Sequence, residues 1–453
     1  MEKGLLYKIY KVHPEVTTDS RHCPEGSLFF ALKGDSFDGN RFAAKALEAG
    51  AAAAVVDDPS VIPAGDDRYL LVDDVLTALQ QLAAHHRQQF KGPVLQITGT
   101  NGKTTTKELI AKVLGTQFNV LYTQGNLNNH IGVPLTLLRL RPGTHDIAVI
   151  ETGANHPGEI AFLTKIVQPD YGLITNVGRA HLEGFGSFEG VKNTKGELYD
   201  YLSRKRKAHL FINTCDKDLM EMMEQRDIDG QSDKCIGYTH TKNSSQTTAI
   251  VHGHVTDCTP FVHVQWQNHA GTVCEDVATH LIGDYNLDNI MAAICVGTHF
   301  GIPSHDISKA LAEYQPSLGR SEYRETATNE LIIDAYNANY TSMLVALENF
   351  RHITHPQKMV ILGDMKELGT ASEEAHMRVI SEVIGSDVRT AWFVGSAFKD
   401  AVSKMPHPEH VQWETYPDVE AVKEVLATNP PHGSLILIKG SNSTRLHQLP
   451  DLL

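Results

Sequence analysis

Cysteine is scarce: six in 453 residues, at positions 23, 215, 235, 258, 274 and 295, with no CxxC pair among them. That scatter argues against a disulfide framework and points to free thiols in a reducing cytosol. Long apolar runs are missing too. None approaches the roughly 18–20 residues that a membrane span needs, and the opening MEKGLLYKIY lacks the apolar centre of a secretory signal. A cytoplasmic protein with no membrane span is the expectation. Cations are in the minority, with 40 Lys and Arg against 54 Asp and Glu and a net charge of −14. Such a balance argues against non-specific binding of nucleic acid or an anionic membrane. An anionic ligand stays open, because a phosphate site is made by a few local groups. The 24 histidines supply no HExxH or comparable ligand pair, and neither an internal repeat nor a low-complexity segment is present.

What is there reads as a soluble α/β protein, 41% hydrophobic and 21% charged, and too long for one ordinary core. Three segments differ in texture: 1–88, 89–316 and 317–453. The first carries short β-like runs, SLFFALKG, AAAAVVDD and YLLVDD, followed by the helical VLTALQQLAAHHRQQF. The second alternates buried, β-branched runs (PVLQIT, HDIAVIET, YGLITNV, KAHLFIN) with helical patterns, which predicts a mostly parallel sheet. From 236 to 275, IGYTH, TAIVHGHV and FVHVQWQ alternate like a small antiparallel meander attached to that core. The third segment, with NELIIDAY, KMVILGDM, TAWFVG and GSLILIKG, reads as an open doubly wound domain.

The stretch VLQITGTNGKTTTKELIAKVLG (94–115) carries the strongest chemical signal. Gly99, Thr100, Asn101, Gly102, Lys103, Thr104 and Thr105 lie between a strand and a helix start, the setting of a phosphate-binding loop. Glycines let backbone N–H groups approach anionic oxygens, and the helix N-terminus adds unpaired donors. Lys103 can reach the β- and γ-phosphates, and the Thr104 hydroxyl can complete a Mg²⁺ shell. Ile97 stands where the general Walker pattern has glycine, so this is the shorter GxxGKT form. The plain alternative is a glycine-rich turn with an exposed lysine.

The loop is followed in order by GNLNNHIGVPLTLL (125–138), ETGANHPGEI (151–160), TNVGRAHLEGFGS (175–187), KGEL (195–198), DYNLDNIMAA (284–293), LGR (318–320), DAYNANYTSM (334–343) and GDMKELG (363–369). Together with TDSRHCPEGSLFFALKGDSFDGNRFAAKALEAGA (18–51), this series resembles the Mur ligases of bacterial peptidoglycan synthesis over essentially the whole chain. GNLNNHIGVPLTLL, YNAN and GDMKELG resemble most the member that joins D-alanyl-D-alanine to UDP-N-acetylmuramoyl-tripeptide. The resemblance implies an N-terminal UDP-binding domain (1–88), a central ATPase (89–316) and a C-terminal Rossmann-like ligase domain (317–453). It also implies ATP, two Mg²⁺ ions and an acyl-phosphate intermediate, in a monomeric enzyme.

Residue by residue, the resemblance makes Thr104, Glu151 and His181 metal ligands, with Lys103, Lys195 and His181 as the catalytic set. Lys195 on its own reads as a surface helix lysine; the resemblance makes it a carbamylated one, with Lys192 as the competitor. Asn286 and Asn289, three apart on one helix face, would lie near the adenine, although Asn286 also suits a helix cap. Arg320, Asp334 and Tyr336 would meet the nucleotide once the domains close. Ser20, Arg21, Gly34, Asp35, Asp38 and Gly39 would hold the uridine diphosphate. Gln124, Asn126, Asn128, Asn129 and His130 would take the muramoyl part, and Asn337 and Asn339 the dipeptide side. One departure is Tyr340, where the family has proline after YNAN.

Rival readings differ in motif. The Mur ligase that adds the third amino acid carries an Asn-Pro-Arg motif, absent here. Folylpolyglutamate synthase lacks the DSRxxxxGxLFxAxxG segment. A P-loop switch would carry NKxD, which this chain lacks. A non-catalytic nucleotide-binding module would have lost Lys103, Glu151 or His181, and all three are present.

Overall fold

The computed structural model describes residues 3–453 except 179–181, 231, 241–248, 269–270, 272–273, 317–318 and 367. His181 therefore lies outside the described residues.

The N-terminal segment contains β1 (Val16–Thr17), β2 (Leu28–Phe30), β3 (Lys33–Gly34), β4 (Phe37–Asp38), β5 (Ala53–Val56) and β6 (Tyr69–Leu71). β1, β2, β5 and β6 form a parallel sheet in that order, and β3 and β4 a separate hairpin. Alternation along the strands feeds two faces. Phe30 and Val55 pack with the helices Lys3–Val12 and Val75–Gln89, whereas Phe29, Ala54 and Val56 pack under the helix Ala43–Glu48. The first of these cores continues into the central segment through Leu121, Ala148 and Leu163. Buried Arg87 secures the junction by donating to Val167 O and Gln168 O and pairing with Asp170.

The central sheet has nine strands: β7 (Val94–Thr98), β8 (Val120–Tyr122), β9 (Ile147–Glu151), β10 (Tyr171–Ile174), β11 (His209–Asn213), β12 (Cys235–Thr239), β13 (Ala249–Cys258), β14 (Phe261–Asn268) and β15 (Cys274–Ile282). Their order is β15-β14-β13-β12-β11-β10-β7-β9-β8. Pairing is parallel from β8 to β13 and antiparallel only for β13–β14 and β14–β15. The expected meander is thus part of the main sheet, and IGYTH belongs to its parallel half as β12. Alternation misassigned that strand: all five of its residues are buried, and polar atoms such as the Tyr238 carbonyl are satisfied by Thr214.

The C-terminal sheet comprises β16 (Glu322–Glu325), β17 (Glu330–Asp334), β18 (Lys358–Gly363), β19 (Thr390–Val394), β20 (Gln412–Tyr416) and β21 (Leu435–Lys439), ordered β16-β17-β21-β18-β19-β20. Only β16 runs antiparallel. Apolar clusters cover both faces, as in a doubly wound sheet. Among the described residues, no helix is long and apolar enough to cross a membrane.

Candidate active site

β7 lies between β9 and β10, with Ile97 opposite Glu151 and Thr98 opposite Ile174. Three parallel strand ends thereby deliver Gly99, Glu151 and Thr175 to one place, where ligands of open α/β sheets bind. The loop after β7 turns through Gly99 (φ 145°) and Gly102 (φ 75°), backbone conformations that L side chains rarely adopt. A Cβ on Gly102 would also lie 2.4 Å from Asn289 Oδ1. The helix Lys103–Leu114 then starts without a side-chain cap. Uncapped first-turn N–H groups at a glycine turn make an anion cradle.

Neighbours fix the loop. Asn176 Oδ1 accepts from Asn101 N at 3.0 Å, the Thr175 hydroxyl donates to Asn101 O at 2.7 Å, and Gly178 N donates to Thr100 Oγ1 at 2.9 Å. Lys103 Nζ folds back to donate to Gly99 O and Thr100 O, both at 2.9 Å. Burial lowers its pKa, with Glu151 opposing and Arg320 adding to the effect. Glu151, 1% exposed at the end of β9, accepts from the Thr104 hydroxyl at 3.0 Å and from Asn128 Nδ2 at 2.8 Å.

A cavity of about 690 Å³ opens here. Of the residues expected from sequence, Thr100 to Thr105, Asn126, Asn128, Asn129, His130, Glu151, Asn286, Asn289, Arg320, Asp334, Tyr336, Asn337 and Asn339 line it. Gly99 sits just behind as an acceptor for Lys103. Gln124 opens instead on a second cavity of about 770 Å³ beside Glu108 and Tyr314. Ser20, Arg21, Gly34, Asp35, Asp38 and Gly39 are not in the wall of the large cavity. Arg21 forms a two-pronged ion pair with Asp19, and Asp38 caps the short helix Gly39–Phe42.

The asparagine pair has an internal task. Thr106 Oγ1 donates to Asn289 Oδ1, Asn289 Nδ2 to Asn286 Oδ1, and Asn286 Nδ2 to Ile282 O, at 2.8–2.9 Å. Asn286 is the first residue of its helix, whose cap position is Tyr285, so it does not act as a cap. This chain joins the phosphate-loop helix to the helix Asn286–His299. Asn289→Leu leaves two buried groups unpaired at about 1–3 kcal/mol each, so urea melts should report a loss of about 2–6 kcal/mol.

From the C-terminal sheet, Arg320 stacks on Tyr336 with its guanidinium carbon 3.6 Å from the ring centroid. Its buried Nε has no partner among the described residues and so keeps a donor in reserve. Asp334, ending β17, pairs with Lys439, ending β21. Asn339 Nδ2 donates to Asn101 Oδ1 at 2.8 Å, a direct contact with the phosphate loop. Asn339 also accepts from Ser342 N and caps the helix Tyr340–His352. Tyr340 occupies the first helical position, where proline is favoured only for its fixed φ; the capping box supplies the restraint that the ring would give. In GDMKELG, the Asp364 carboxylate accepts from Ala397 N and Phe398 N at 3.2 and 3.0 Å, while Glu367 lies outside the described residues.

Lys195 is 2% exposed, and burial together with the nearby Lys103 charge pushes its pKa down to about 7. Glu159 and Glu197 oppose that shift. Lys192, three residues earlier, pairs with Glu221 at 2.6 Å and Asp218 at 2.9 Å, hydrogen bonds that raise its pKa and keep it an ammonium. Of the two, it is Lys195 whose surroundings disfavour the charged form.

Sequence reasoning missed two cations, Lys439 in the wall of the large cavity and Lys107 buried behind it. Lys439 ends the apolar run LILIK at a strand terminus, a usable signal. Lys107 lies four residues after Lys103 and looks like an ordinary helix lysine, yet its side chain is 0% exposed and its Nζ is 3.6 Å from Glu151.

Comparisons with known proteins bear on family and fold. Residues 14–87 match the Mur ligase family catalytic domain, 97–297 the Mur ligase middle domain and 319–442 the Mur ligase glutamate ligase domain. The UDP-N-acetylmuramoyl-tripeptide--D-alanyl-D-alanine ligase of Bacillus subtilis is 36% identical over 99% of this chain and 95% of its own length. The crystal structure of MurF from Acinetobacter baumannii superposes with a TM-score of 0.82 at 31% identity, covering 97% of this chain and 93% of that one. MurF ligase from Thermotoga maritima in complex with ADP gives 0.79 at 26% identity, covering 97% and 96%. The chain belongs to the Mur ligase family.

Proposed function

We propose that this protein is an ATP-dependent amide ligase that joins D-alanyl-D-alanine to UDP-N-acetylmuramoyl-tripeptide in peptidoglycan precursor synthesis, as the names of its relatives describe for them. One observation carries the reading: the phosphate loop, the Thr104–Glu151 pair and the C-terminal Arg320, Asp334–Lys439 and Asn339 share one cavity. The three sheets support a division of labour at 1–88, 89–316 and 317–453.

A carboxylate is a poor electrophile. Its oxygen attacks the γ-phosphorus of ATP, ADP leaves, and an acyl phosphate remains. The dipeptide amine then attacks the carbonyl carbon, phosphate departs with the C–O bond pair, and the amine loses a proton. Both steps gather negative charge, so catalysis rests on positioned cations and donors. Lys103, the loop N–H groups and Arg320 supply them on the phosphate side. Thr104 and Glu151 offer the hydroxyl and carboxylate oxygens that Mg²⁺ prefers. Among the described residues, no cluster of three or more His, Cys, Asp or Glu is placed to hold a metal. Bound at Thr104 and Glu151, Mg²⁺ would neutralise phosphate charge. His181 is proposed for a second ion from the resemblance alone.

The pKa of about 7 supports Lys195 as the carbamylated residue. A neutral amine adds to CO₂, forms the N–C bond and loses a proton, leaving an anionic carbamate. Gln124, Asn126, Asn128, Asn129 and His130 would meet the muramoyl part, Asn337 and Asn339 the dipeptide side, and Ser20, Arg21, Gly34, Asp35, Asp38 and Gly39 the uridine diphosphate. Asn286 and Asn289 would present only their remaining N–H groups to adenine.

Phosphate release tests the reading. It should require UDP-muramoyl-tripeptide, ATP and Mg²⁺ and rise on addition of D-alanyl-D-alanine. Indifference to the dipeptide, or equal support from a free third-position amino acid, would overturn it.

A further inference from the structure

Helix Lys103–Leu114 carries two lysines one turn apart, and only the second reaches the carboxylate of Glu151. Lys107 Nζ is 3.6 Å from Glu151 Oε2, 3.8 Å from Glu108 Oε1 and 3.5 Å from Gly125 O, with its side chain fully buried. Lys103, one turn earlier, bonds instead to two loop carbonyls. An ammonium on a four-carbon stem prefers a carboxylate to neutral carbonyls, because only the carboxylate adds a full charge–charge attraction to the hydrogen bond. Lys103 nevertheless stays on the loop, where a phosphate can take it over.

We infer that Lys107 is a positioning residue that holds the negative charge of Glu151 and so keeps Lys103 available for phosphate. A buried carboxylate needs a compensating cation. Without Lys107, Glu151 retains only the hydrogen bonds from Thr104 and Asn128, and Lys103 is drawn across to it. The same ammonium also touches Gly125 O, at the start of the loop that carries Asn126 and Asn128, so the carboxylate and that loop share one anchor. The inference rests on the nucleotide-site reading above.

A two-by-two set of variants tests it through ADP binding in EDTA, followed by calorimetry, with thermal melting as the control for folding. Lys107→Met should weaken ADP about tenfold in the native background and leave it unchanged in a Glu151→Gln background, where no charge remains to capture Lys103. Lys107→Gln, which keeps a donor for Gly125 O, should lose as much as methionine, and Lys107→Arg should bind like the native protein. Equal losses with and without Glu151, or native affinity in Lys107→Gln, would overturn the inference alone. Failure of the native protein to bind ADP would overturn the nucleotide site as well.

Discussion

Lys103→Ala should leave a folded protein whose phosphate release falls by about 10³-fold, the scale of removing one preorganised charge-stabilising group. Its ammonium belongs to a loop already shaped by Gly99 and Gly102, so the substitution removes charge without removing the turn. In the absence of nucleotide Lys103 holds only two loop carbonyls, and burial disfavours its charged form. Melting should therefore stay near the native value or rise. Activity within tenfold of native would show that the loop does not handle the phosphates.

Lys195 gives the second large effect, with two separate readouts. Lys195→Ala should lose about 10²-fold or more in turnover if its carbamate orders the acyl-phosphate site. Bicarbonate alone should restore little, whereas a short carboxylate such as acetate or propionate should restore part. Full activity of the variant would remove this lysine from the mechanism. Stability reports on the amine itself. In the fold its pKa is near 7, against 10.5 for a free lysine. Between those values the unfolded chain carries a proton that the folded one lacks, so stability rises with pH across that window. Lys195→Met abolishes this dependence. In CO₂-free buffer its stabilising effect should be largest below pH 7 and shrink by about 1.4 kcal/mol per pH unit toward pH 10.5. Urea melts at pH 6, 8 and 9.5 would measure it, and a flat difference would mean that the buried amine is already charged.

What the sequence disclosed follows from distance along the chain. The phosphate loop was legible because its strand, glycines, lysine and helix are contiguous, and β7 and the helix Lys103–Leu114 appear where the pattern put them. The parallel core and the doubly wound C-terminal sheet followed from runs such as HDIAVIET and KMVILGDM. β16 and β20 escaped notice because EYRE and QWETY are polar edge strands with little apolar signal. Lys107 escaped for a different reason. Nothing local distinguishes a lysine facing water from one facing Glu151, 44 positions later in sequence. The roles of Asn286 and Asn289 also depended on which way their amides pointed, which only packing decides.

Asn339 ties the C-terminal lobe to the phosphate loop with low strength. One end of its amide begins a helix within its own lobe, and the other reaches across to Asn101. Of the bonds Asn339 makes, only the outward one, worth about 1 kcal/mol, crosses between the lobes, and the helix start does not depend on it. Ordinary thermal agitation can undo such a fastening, so Asn339 adds little to the cost of separating its lobe from the phosphate loop.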